Sequence, residues 1–119
     1  CLDSLSERVG YFDRNYRYTY TNAANCEFHK EPVGNFIGRP NWTIVGDRYF
    51  EKINKDRFDA CYAGKRISYY NGHPNALGRV FSVTFDPAFD SSGRVTGALV
   101  TSRDVSLLPI PANLILPMP

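Results

Sequence analysis

At 119 residues, 43% hydrophobic and 22% charged, the chain has the size and composition of one folded domain, which excludes wholesale disorder. Lys plus Arg is 14 and Asp plus Glu 12, a net of +2, too balanced to point to nucleic acid or an anionic membrane surface as a partner. No apolar run approaches the ~20 residues of a transmembrane helix.

Aromatic residues make up 14% of the chain, with eight Tyr, eight Phe and one Trp, and predict a sheet-rich domain with a thick core. Cys1, Cys26 and Cys61 are odd in number and widely spaced, matching neither a disulfide framework nor a zinc site. The expected compartment is reducing and cytoplasmic, and the start lacks the pattern of a signal peptide. A first residue of Cys rather than Met suggests a processed end or a cut fragment.

In chain order, Leu2, Leu5 and Val9 have rough helical spacing and suggest a short leading helix over 1–9. Residues 9–13 and 16–22 flank the turn-like Arg14-Asn15 and predict a hairpin. Ala23 to His29 reads as one or two helical turns capped by Asn22. Pro32, Gly34 and Pro40 confine residues 30–46 to short turns. The one long helix is expected over Asp47–Ala63, with Asp47 as N-cap. Phe50, Ile53, Phe58, Cys61 and Tyr62 form its inner face, and Gly64 stops it. Strands follow at about 67–71, 79–86 and 95–105, with Ser91-Ser92-Gly93 turning between the last two. The tail, 107–119, holds four prolines and no charge, and suits neither a helix nor a central strand. Strands flanking a helical middle predict an α+β domain, an antiparallel sheet with helices on one face.

Four stretches of this sequence resemble a PAS domain, the small sensory fold of signalling proteins. Gly10-Tyr11-Phe12-Asp13 with Tyr18-Thr19-Tyr20-Thr21-Asn22-Ala23-Ala24 is similar to the first hairpin and its closing Asn-x-Ala. Phe36-Ile37-Gly38-Arg39-Pro40 resembles the step before the long helix, and Phe58 to Gly64 that helix's end. Phe81 to Pro87, Asp90 to Gly97 and Arg103-Asp104-Val105-Ser106 resemble the last hairpin and its terminal Asp-hydrophobic-Ser. The resemblance covers about residues 5–106 and divides the chain into a 1–106 sensor domain and a 107–119 tail. It implies a five-stranded antiparallel sheet of order 2-1-5-4-3 and a pocket between sheet and helices.

Haem-binding PAS domains take an iron ligand from a His on the long helix, and residues 47–63 contain none. Flavin-linking and chromophore-tethering members need a Cys near the start of that helix, and residues 40–46 contain none. Haem and covalent flavin are therefore not expected; a non-covalent flavin stays open. The family's register turns Thr19 and Thr21 inward with Phe12, together with Phe81, Val83, Phe85, Val100 and Ser102. Asn25 and His29, four apart, share a helix face. Phe50 and Phe58 add apolar wall and Trp42 closes one end. The expected ligand is a small aromatic or aliphatic acid, with a His29 that changes charge between pH 5 and 8. Tyr18, Tyr20 and Leu99 would lie on the opposite face, where PAS domains commonly pair, so a homodimer is expected.

No nucleophile–base or metal-binding motif stands out, so a non-enzymatic sensory or signal-transduction module is expected. A cone-shaped α+β barrel enzyme of the isomerase or dehydratase type and a ligand-free protein-interaction module are the alternatives.

Overall fold

The computed structural model describes residues 7–119. The expected helical spacing of Leu2 and Leu5 lies outside that range, while Val9 belongs to a strand rather than a helix. The strands are β1 (Arg8–Asp13), β2 (Tyr18–Thr21), β3 (Ile67–Asn71), β4 (Phe81–Phe89), β5 (Val95–Asp104) and β6 (Ile115–Leu116). The helices between β2 and β3 are α1 (Ala23–His29), α2 (Trp42–Val45), α3 (Asp47–Tyr49) and α4 (Lys55–Tyr62).

The sheet has six strands in the order β2-β1-β5-β4-β3-β6. Its first five follow the expected 2-1-5-4-3 order and are antiparallel; the sixth is a correction. It comes from the tail, where Ile115 and Leu116 run parallel to Tyr70 and Asn71. The 3-10 turn Ala112–Leu114 before it and Pro117 after it limit it to two residues at the sheet edge. The cone-shaped barrel is overturned as well, since the described chain opens on a sheet strand and builds a single open sheet.

Asn22 ties the first helix to the sheet. Its Oδ1 accepts from the Asn25 and Val9 amides, both at 3.0 Å, and its Nδ2 donates to the Glu7 carbonyl at 2.7 Å. The expected long helix is three segments, because Phe50–Asn54 forms a π turn between α3 and α4. Gly46 rather than Asp47 takes the N-cap position, and Gly64, at φ +98°, ends the helical stretch.

Phe58 is fully buried at the centre of the core, with ring centroids 4.8 Å from Phe12 and 5.0 Å from Phe85 in edge-on contacts. Cys61 packs beside them as a small hydrophobe, its thiol pushed up to about 11, chiefly by burial.

Candidate functional site: a polar cavity between sheet and helices

Register decides which strand residues face the helices. Across β1, β5, β4 and β3, Arg8 stands opposite Ser102, Ser102 opposite Val83, and Val83 opposite Tyr69. The next inward row holds Gly10, Val100 and Phe85. These two rows floor a cavity of about 70 Å³. The helical side closes it with Asn25 and His29 of α1, Val45 of α2, Tyr49 of α3, Asn54 of the π turn and Phe58 of α4. Asn41, Asn71 and His73 complete the rim.

The polar lining is tied into short chains. Asn54 Nδ2 donates to Asn41 Oδ1 at 2.8 Å, and Asn41 Nδ2 donates to the Tyr18 hydroxyl at 3.1 Å. Asn71 Nδ2 donates to the Tyr49 hydroxyl at 2.5 Å, and Asn25 Nδ2 to Thr21 Oγ1 at 3.1 Å. Burial raises the Tyr18 phenol to about 12, so it stays protonated at neutral pH.

Arg8 is the cavity's cation. Its Nη2 donates to Ser102 Oγ at 2.6 Å, and its guanidinium carbon lies 3.7 Å from the Phe28 ring centre and 5.0 Å from that of Phe81. Burial lowers its pKa to about 10, which leaves it charged at neutral pH.

The two histidines are neutral. Burial, with the Arg8 charge next, pulls His29 down to about 4; burial, then Arg8 and His29, pulls His73 down to about 3. His73 Nδ1 accepts from the Asn75 amide at 3.0 Å, which places the proton on Nε2. The expected charging of His29 between pH 5 and 8 is therefore corrected: an apolar setting beside a cation disfavours the imidazolium.

The expected site residues divide. Phe12, Asn25, His29, Phe58, Val100 and Ser102 line the cavity. Phe50 and Trp42 pack on each other at 4.9 Å, behind the cavity wall. Phe81 faces a separate outer cleft, and Thr21 is buried beneath Asn25. Thr19 is a correction: it is exposed, and its hydroxyl donates to the Tyr11 carbonyl at 3.1 Å. Tyr18 is another, for it is buried, packs on Phe12 at 4.2 Å and lines the cavity instead of the outer face. One irregularity causes both. Tyr11 pairs with Tyr20 but Phe12 with Tyr18, so a bulge at Thr19 reverses the alternation within β2. Tyr20 stays outside at 51% exposure, and Leu99 is half-buried on the same face.

Arg8, Tyr49, Tyr69, Asn71 and His73 are cavity residues that the sequence reading missed. For Arg8 the signal was present, since alternation from Phe12 through Gly10 reaches it.

The family described as the PAS fold matches residues 2–108, and the chain belongs to that family. A Vibrio cholerae VqmA–ligand–DNA complex is similar at 19% identity and TM-score 0.74, covering 87% of this chain and 48% of that one. A structure of VqmA bound to DPO is similar at 22% identity and TM-score 0.70, over 90% and 56%. A sensory box sensor histidine kinase from Vibrio cholerae is similar at 13% identity and TM-score 0.70, over 87% and 82%. The chain thus spans about half the length of the VqmA chains it matches. A search of curated proteins finds no match. At these identities the likeness concerns the fold. Among the described residues no helix is long and apolar enough to cross a membrane.

Proposed function

We propose that this PAS domain is a non-enzymatic sensory module that takes up a small diffusible molecule in the cavity between sheet and helices. The observation that carries the reading is a polar cavity set inside an aromatic core. Asn25, Asn41, Asn54, Asn71 and His73 are buried together, their hydrogen bonds made within short polar chains, and a sheet–helix interface needs none of them for packing. A ligand that satisfies such groups reorders their hydrogen bonds and shifts the elements bearing them, which is the physical content of sensing. The similar VqmA structures, described as holding a ligand and DPO, support the reading by fold.

We further propose that the outer face of the sheet meets a second copy of the chain. Tyr20, Tyr11 and Leu99 stand opposite one another on three adjacent strands and make one aromatic–aliphatic row. A VqmA dimer is described for one of the similar structures.

Native mass spectrometry of protein purified from its own cells tests the sensory reading. A retained small molecule, released on denaturation, is expected. Bare protein mass in both conditions favours the ligand-free interaction module instead.

A further inference from the structure

Ion pairs among the described residues join Lys55 to Asp59, Arg66 to Asp86, and Arg79 to Asp104. None includes Arg8. The half-buried guanidinium lies against the Phe28 and Phe81 rings and is held at Ser102, yet no carboxylate of the described residues lies within salt-bridge distance. A charge partly withdrawn from water in this way gains from a counter-charge. Asp104 acts on Arg8 only from a distance and is already held by Arg79.

Arg8 and Ser102 also share a second boundary. Both line the inner cavity of about 70 Å³ and the outer cleft of about 420 Å³, which Glu27, Phe28, Asn75 and Arg79 help to form. The pair stands between the two spaces, and the cleft side of it also carries Asp104.

We propose that the molecule held in this cavity is a small organic monoanion, whose carboxylate pairs with Arg8 and accepts from Ser102. The proposal rests on the sensory reading above and adds the ligand's charge and its anchor. The planar guanidinium fork matches a carboxylate's two oxygens. One formal charge fits because Arg8 is the cavity's only cation among the described residues: His29 and His73 face it as neutral rings, and its other titratable neighbours are the phenols Tyr18, Tyr49 and Tyr69 and, from the cleft side, Asp104, which Arg79 already holds. The remaining lining asks for a polar body, with Asn25 and the neutral His73 on one side and Val83, Phe85 and Val100 on the other. Size divides the candidates. The cavity is about half the ~150 Å³ in which benzene is held, so a short-chain hydroxy acid suits the present wall, whereas a ring acid requires Arg8 to swing toward the cleft.

Calorimetric titration of the purified domain with lactate against lactamide, and nicotinate against nicotinamide, tests this, because each pair differs in charge at nearly constant size. At least one acid is expected to bind ten-fold or more tightly than its amide. That preference should vanish in Arg8→Met, which keeps the stem on Phe28, and persist in part in Arg8→Lys. Unchanged circular dichroism shows that the variants fold, and Ser102→Ala, which keeps the guanidinium charge and removes its hydroxyl partner, is expected to weaken the same acid several-fold. Tight lactate places the ligand within the present wall; tight nicotinate alone shows that the wall moves. Equal binding of acid and amide, an acid preference that survives in Arg8→Met, or no binding of either acid overturns the proposal. A neutral molecule retained in native mass spectrometry would then leave the sensory reading standing while the anionic one fell.

Discussion

His73 shows how one side chain links the cavity to stability. In an unfolded chain its imidazole titrates near 6.5, whereas in the fold burial beside Arg8 and His29 lowers that to about 3. Between those values the unfolded state binds more protons, so stability rises with pH there. The contribution is therefore complete above about pH 6.5 and is lost as pH falls toward 3, at up to ~1.4 kcal/mol per pH unit for this residue. His29, lowered to about 4, acts in the same direction. Urea denaturation at pH 7 and pH 5 should show the loss, and His73→Gln should flatten it; identical slopes in the two proteins would contradict the account. Gly97 makes a different demand. A Cβ there would overlap the Phe12 carbonyl oxygen on the neighbouring strand, and backbone cannot yield as a side-chain tip can. Gly97→Ala is expected to cost more than about 2 kcal/mol in the same denaturation measurement, against at most ~0.5 for an ordinary surface change.

At the scale of elements, legibility followed periodicity. α1 with its Asn22 cap and the alternation of Phe81, Val83 and Phe85 were readable because capping chemistry and strict alternation have local signatures, whereas the strand order and the choice of inward face came from the resemblance to the PAS family. The cavity was readable in part: the family's register delivered Val100 and Ser102 of β5, and helical spacing delivered Asn25 and His29 of α1. What failed was local irregularity. The bulge at Thr19 exchanges the faces of Tyr18 and Thr19, and nothing in Tyr-Thr-Tyr-Thr marks it. Assigning residues 1–9 to a helix hid the β1 alternation that would have turned Arg8 inward. His73 reaches the cavity from a loop, where neither period applies. The tail strand β6 was illegible because two residues carry no pattern, and its place depends on the exposed edge of β3. Truncation after Ser106 should raise hydrogen exchange at the Tyr70 and Asn71 edge and cost about 1 kcal/mol, the order of one ladder hydrogen bond. Unfolding of the whole sheet, or unchanged exchange at that edge, would show that the tail acts otherwise.

For the molecule as a whole, the two faces of the sheet divide the work. The inner face carries the cavity, and the outer face carries the Tyr20–Tyr11–Leu99 row that we assign to pairing with a second copy. Tyr20→Glu places a charge in that row and should shift sedimentation at about 100 micromolar from dimer toward monomer, with an unchanged circular dichroism spectrum; a wild-type protein that is monomeric at that concentration contradicts the assignment. The cavity and the proposed pairing face share β5, where Leu99 points to one face and Val100 to the other, so displacement of this strand by a ligand would reach a second copy seated there. The central claim is that the cavity beside Arg8 is where the sensed molecule sits. A high-resolution crystal structure of protein prepared from its own cells tests it most directly. The account predicts continuous non-protein density between the Arg8 guanidinium, Ser102 and the Val83–Val100 floor. A cavity closed by rearranged side chains, or the retained molecule found at another place on the protein, would contradict it.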